Sequence, residues 1–242
     1  MTQLSHLVTL GDSFVHGDGL ANRDQAWPYL LGNRIGVDVV NLGLSGSGND
    51  RIFRRLYEYF YEDLQFNNNP FYIVVFSSIT RKEVWEEASQ SYQIVLPHGS
   101  DPASLDYQNN FNLIHFYKQS ILYKSAIRNL FKAYKIPYIF AHSIEALNSK
   151  EKREIGSIMN SQSPNHYDIL KNDVNDVGWL ESLVSHTPKT PCMHWNEDAH
   201  KLIAEFFYDT IHKNYGSINA TSGEHLSHSN YVSSFEPWYN NN

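Results

Sequence analysis

The chain has 242 residues, 41% of them hydrophobic, and its 19 basic and 26 acidic side chains leave a net charge of −7. That length suits one large domain able to bury about 70–75% of the surface its unfolded chain exposes. The acidic balance, with no basic stripe, argues against a nucleic-acid partner. The single cysteine, Cys192, excludes an intrachain disulfide and a zinc site built on thiolates.

Short apolar runs alternate with longer helical ones. Residues 6–10 read as a buried strand ending at Gly11. Residues 24–35 read as a helix closed by Gly36, with Trp27, Leu30, Leu31 and Ile35 on one face. A second strand, 37–41, leads into a Gly/Ser-rich turn at 43–48. Asn49 or Asp50 can cap the next helix, which carries Ile52, Phe53, Leu56, Phe60 and Leu64 and is broken at 67–70. Residues 71–76 form the most continuously apolar run in the chain, as expected for a strand covered on both faces. Residues 83–106 read as an irregular surface excursion, 111–134 as a long helix, and 138–141 as a fourth strand. Residues 144–179 read as mixed short helices and loops. A last helix, 198–212, is expected to turn Leu202, Ile203, Phe206 and Ile211 inward.

This alternation predicts an α/β fold: a three-layer α/β/α sandwich with a parallel, flavodoxin-like sheet. Residues 1–215 form the domain. Residues 216–242, rich in Ser, Asn and His, read as a polar tail, either disordered or docking onto its own domain or a partner through Phe235, Trp238 and Tyr239. No apolar run approaches the roughly 20 residues that span a bilayer. The N-terminus lacks a charged leader with a small-residue cleavage site. The expectation is a cytoplasmic protein, or one released without a recognisable signal.

Ligands of parallel sheets bind beyond the carboxyl ends of the strands. The first turn, Gly11-Asp12-Ser13-Phe14, puts a serine at that edge, near a helix start whose free N–H groups can hold an oxyanion. A serine hydroxyl needs a base to become a nucleophile. His194, in the loop before the last helix, is the candidate, and His200 reads as packing or bonding that loop. His16 can line the pocket or sit in solvent. Cys192 is read as packing. No spacing favours a metal on His16, His194 and His200, and no cofactor is expected.

The ordered set of motifs resembles the SGNH (GDSL-type) hydrolase superfamily over about residues 5–213. Gly11-Asp12-Ser13-Phe14 is similar to its first block, and Asn41-Leu42-Gly43-Leu44-Ser45-Gly46 to its second. His194-Trp195-Asn196 with His200-Lys201-Leu202-Ile203-Ala204 is similar to its last. The resemblance implies a serine esterase or deacetylase in which Ser13 attacks and His194 is the base. The oxyanion is then held by the N–H groups of Ser13 and Gly46. Asp12 organises the turn. Small acyl esters, including carbohydrate O-acetyl esters, are the expected substrates.

Two departures stand out. The third block normally supplies an oxyanion asparagine, but this chain has Phe76-Ser77-Ser78-Ile79-Thr80-Arg81. Ser78 or Thr80 can donate from a hydroxyl there, and Arg81 can supply charge. The family's acid three residues before the histidine is Pro191, leaving a Ser–His dyad or an acid from elsewhere such as Asp173 or Asp176. The alternative is a weak or inactive relative that uses the fold for binding or structure.

Overall fold

The structure is a computed structural model that describes residues 2–64, 69–96, 99–144, 173–216 and 218–220, with Lys150 and Arg153. Its strands are β1 (Thr2–Leu4), β2 (His6–Leu10), β3 (Asp38–Asn41), β4 (Phe71–Phe76), β5 (Lys82–Glu86), β6 (Ser91–Val95), β7 (Tyr138–His142), β8 (Asp176–Trp179) and β9 (Ile218–Ala220). Its helices are α1 (Ser13–His16), α2 (Trp27–Ile35), α3 (Asn49–Leu64), α4 (Pro102–Asn109), α5 (Leu113–Tyr134), α6 (Leu180–Leu183) and α7 (Glu197–Tyr215).

A five-stranded sheet in the order β3-β2-β4-β7-β8 is parallel throughout. Strand β4 shows why its sequence is continuously apolar. Side chains alternate across a sheet, so Phe71, Ile73 and Val75 enter one core and Tyr72, Val74 and Phe76 the other. The first core joins Trp27 and Leu31 of α2 to Ile203, Phe207 and Ile211 of α7. The second joins Ile52, Leu56 and Phe60 of α3 to Ile127 and Phe131 of α5. The expected three-layer α/β/α sandwich is therefore present, with its ligand edge at the carboxyl ends of β2, β3 and β4.

The structure differs from the sequence reading in five places. The stretch 83–106, expected to be irregular, is an antiparallel hairpin of β5 and β6 followed by α4. Its strands are rich in charged and polar residues because Glu83 faces Arg51 and Arg54 of α3 in ion pairs, so a polar position is an inward one. The long helix begins at Leu113, where Asn112 accepts a hydrogen bond from the N–H of His115. A fifth strand, β8, lies in the stretch read as mixed. In α7, Leu202 is 37% exposed, and the inward face is Ala199, His200, Ile203, Ala204, Phe207 and Ile211. The chain past Gly216, read as a tail, opens with β9, which pairs in parallel with β1. Residues 67 and 68 of the break, and the docking residues Phe235, Trp238 and Tyr239, fall outside the described residues. Among the described residues no helix is long and apolar enough to cross a membrane.

Candidate active site

Strand β2 ends at Leu10, and the chain turns at once into the single-turn helix α1. Asp12 caps that helix, its Oδ1 accepting from the N–H of Phe14 at 3.1 Å. Its Oδ2 accepts from Ser77 Oγ at 2.8 Å, Ser143 Oγ at 2.8 Å and an Arg81 guanidinium N–H at 2.9 Å. One fully buried carboxylate thus ties together the turns after β2, β4 and β7. Arg81 answers the buried charge, so its guanidinium is held toward Asp12 and Ser77. A buried carboxylate with this many charge-assisted bonds is a rigid anchor for the residue after it.

That residue is Ser13, at 2% exposure. Among the described residues no hydrogen bond engages its hydroxyl, and none takes its N–H, which sits at the first position of α1. Beside it runs the turn after β3. Asn41 donates to the carbonyl of Val15 at 2.9 Å and accepts from the N–H of Gly43 at 3.0 Å, and Leu44 N–H donates to Gly11 at 3.2 Å. These bonds clamp the second turn onto the first. Gly46 has φ +75°, and a Cβ there would lie 3.1 Å from Ile94 Cγ2. Both facts favour glycine, and the close contact places the β5–β6 hairpin over this turn.

His194 lies on a tight loop. Thr190 and His194 exchange backbone and hydroxyl hydrogen bonds of 2.9–3.2 Å, and Met193 between them adopts φ +65°. The loop docks on the Ser13 turn through Phe14, whose ring packs against His194 at 5.2 Å and Trp195 at 4.3 Å between centroids. Ser13 and His194 thus converge on one edge although 181 positions apart in sequence. No Ser13–His194 hydrogen bond is formed, and such bonds commonly tighten only around substrate.

The remaining expected residues fall into place unevenly. Ser78 Oγ and Thr80 Oγ1 are 2.7 Å apart and bond each other. His200 is fully buried on α7. Its Nδ1 accepts from the N–H of Trp27 at 3.2 Å, and burial, with a smaller effect from His194, brings it down to about 4. It therefore ties α7 to α2 by its hydrogen bond, and its ring packs edge-on against Trp195 of the His194 loop at 6.1 Å between centroids. Neither distant acid serves His194. Asp173 accepts from the Tyr138 hydroxyl at 2.9 Å, and Asp176 pairs with Lys124 and lies 3.9 Å from His142.

Two residues were undervalued in the sequence. Asp18 bonds His16 Nδ1 at 2.5 Å. Burial raises its carboxyl, but bonds from His16 and Ser45 and the neighbouring His16 and His194 rings outweigh that and hold it below the usual range. Cys192, read as packing, is exposed, and its sulfur lies 3.2 Å from His194 Nδ1 and 3.2 Å from Thr190 Oγ1. The spacing of two residues between Cys192 and His194 was visible, but only the Thr190 turn reveals that both side chains meet. Among the described residues no group of three His, Cys, Asp or Glu side chains is arranged to hold a metal ion.

No family model and no curated protein matches the chain. Solved structures do. The psychrotrophic esterase EstA from Pseudoalteromonas sp. aligns at 15% identity over 86% of this chain and 97% of its own, with a TM-score of 0.52. A protein named TesA aligns at 16% identity over 86% and 98%, with a TM-score of 0.51. A family two carbohydrate esterase from Clostridium thermocellum, solved as an active-site mutant, aligns at 12% identity over 90% and 66%, with a TM-score of 0.51. The likeness is one of fold, and it agrees with the motifs: the chain has the SGNH-hydrolase fold.

Proposed function

We propose that the chain is a serine ester hydrolase acting on small acyl esters, carbohydrate O-acetyl esters among them. Ser13 Oγ attacks the acyl carbon while its proton passes to Nε2 of His194. The N–H groups of Ser13 and Gly46 receive the oxyanion. The imidazolium returns the proton to the departing alkoxide, and water activated by the same ring releases the acid from Ser13. The observation that carries this reading is the unengaged Ser13 hydroxyl at a helix N-terminus, with the His194 loop packed on its neighbour Phe14. The fold shared with esterases supports the reaction class, and the exposed rings of Trp85 and Tyr92 on the hairpin over Gly46 suit a sugar-bearing substrate. The bond between Ser78 and Thr80 uses one of their two hydroxyl protons, and Arg81 is committed to Asp12. The fixed donors to the oxyanion are therefore the two backbone N–H groups and turnover is slow, because losing one donor costs about 100- to 1000-fold.

A fluorophosphonate probe tests this. The expected result is one label per chain, mapped to Ser13, and none on Ser13→Ala. Absence of label on Ser13 in folded protein would overturn the reading. The mutual bond of Ser78 and Thr80 favours a second reading, a pocket that binds esters without turning them over. That reading predicts ester binding with no label and no hydrolysis.

A further inference from the structure

Where a Ser–His pair normally has a carboxylate on the imidazole Nδ1, this chain has Pro191 in the loop and sulfur on the ring. The Cys192 Sγ to His194 Nδ1 distance is 3.2 Å. The arrangement is held on two sides. The Thr190 hydroxyl lies 3.2 Å from the sulfur and also accepts from the N–H of His194 at 3.1 Å. Across the loop, Gly19 comes so close that a Cβ there would lie 2.7 Å from Thr190 Oγ1, 2.9 Å from Cys192 Sγ and 3.2 Å from His194 Cβ. The other charged groups facing His194 are committed elsewhere. Asp18 is bonded to His16 and Ser45, and His200 on α7 is neutral and bonded to Trp27.

We infer that Cys192 is the positioning residue of His194, its thiolate accepting from Nδ1–H in the place of a carboxylate. This rests on His194 being the base for Ser13. The proton inventory explains the need for the thiolate. With two protons on the pair, S–H donates to Nδ1 or thiolate faces imidazolium, and in both Nε2 carries hydrogen and cannot take a proton from Ser13. A third form turns S–H to the Thr190 hydroxyl and frees Nε2, but its neutral sulfur is only a weak acceptor for Nδ1–H and cannot balance an imidazolium. Loss of one proton leaves S⁻···H–Nδ1 with a free lone pair on Nε2, the base-competent tautomer. When Ser13 attacks, its proton moves to Nε2, the ring becomes imidazolium, and the thiolate balances that charge until the proton leaves with the alkoxide. Bonds from Thr190 and then His194 bring the Cys192 thiol down to about 7, so the competent form appears as pH rises through neutrality.

The test uses ring ¹⁵N shifts of His194 in the full chain, assigned by its loss in His194→Gln. At pH 8.5 the wild type is expected to hold its proton on Nδ1, and Cys192→Ala to revert to the Nε2–H form that an unpartnered histidine prefers. Identical tautomers in both would overturn the inference, whether or not the protein hydrolyses esters. On p-nitrophenyl acetate, kcat is expected to fall about 10- to 100-fold in Cys192→Ala with KM little changed. That is less than the ~10⁴-fold loss seen when a buried orienting acid is replaced, because water can reach an exposed site. In the same variant the rising limb of the rate reports His194 alone, so its midpoint is expected to move away from that of the wild type. Methyl methanethiosulfonate gives a check without substitution. The sole thiolate displaces methanesulfinate to form a neutral mixed disulfide, activity falls as in Cys192→Ala, and dithiothreitol restores it. Fluorophosphonate labelling of Ser13 separates the two proposals. Labelling of Ser13 with kcat and pH profile unchanged in Cys192→Ala overturns only the positioning role; no labelling of Ser13 overturns the hydrolase reading and with it the catalytic role of Cys192, and the tautomer then decides whether the sulfur still holds Nδ1–H.

Discussion

His200, read from sequence as packing or bonding the His194 loop, is architectural in space. It stands six positions after His194 and completes a family-like motif, yet it is fully buried, and its Nδ1 accepts the N–H of Trp27. Because Nδ1 accepts, the proton sits on Nε2 and the ring is neutral. Burial lowers its pKa from 6.5 to about 4, so between those values the unfolded chain binds a proton that the folded chain refuses. Stability therefore rises with pH across that window, and the group's contribution, fully present above 6.5, is lost as pH falls toward 4, by about 3 kcal/mol. Urea unfolding at pH 4.5 and 7.5 should show this loss in the wild type. In His200→Asn, whose Oδ1 can still accept from Trp27, the difference should shrink by about 2–3 kcal/mol. Equal pH dependence in both proteins would assign the acid sensitivity elsewhere.

At the scale of elements, close approach rather than propensity decides how α2 sits on the sheet. Gly32 lies in the interior of α2, where alanine would ordinarily gain about 1 kcal/mol. Here a Cβ would stand 2.1 Å from Val39 Cγ2 and 3.0 Å from the carbonyl of Val37. The carbonyl belongs to backbone that leads into β3 and cannot rotate away. Overpacking of this kind costs about 1–3 kcal/mol, which outweighs the propensity gain. Gly32→Ala is expected to lower stability by about 1–2 kcal/mol in chemical denaturation, and a stabilised variant would show that α2 and β3 part freely. The β5–β6 hairpin illustrates the opposite case. Its charged strands gave no apolar alternation to read, because Glu83 is buried against Arg51 and Arg54. A polar–polar contact leaves no hydrophobic period in the sequence, and only the packed structure shows that the hairpin covers Gly46.

Across the whole molecule, the first and last described strands meet. Thr2–Leu4 and Ile218–Ala220 pair in parallel, and Leu4 is buried in the α2–α7 core. Truncation after Gly216 removes β9 and leaves β1 without its partner. Its melting temperature should lie about 2–6 °C below that of a chain truncated after Ala220, the shift expected for a loss of about 1–2 kcal/mol in a protein of this size. Equal melting temperatures would mean that β1 holds its place without β9.

The sequence alone determined the frame. Continuous apolar runs at β2, β4 and β7, separated by helical stretches, specify a parallel sheet because each strand must be buried on both faces. Ser13 and the glycine turn were legible because tight turns at strand ends need particular residue types. The tertiary structure decided what those residues do together. The docking of the His194 loop on Phe14, the diversion of Asp173 and Asp176 to other partners, and the meeting of Cys192 with His194 are set by loop packing. No local period encodes such packing. A hydrogen-bond partner is chosen by distance and competition among neighbours, and both exist only once the chain has folded.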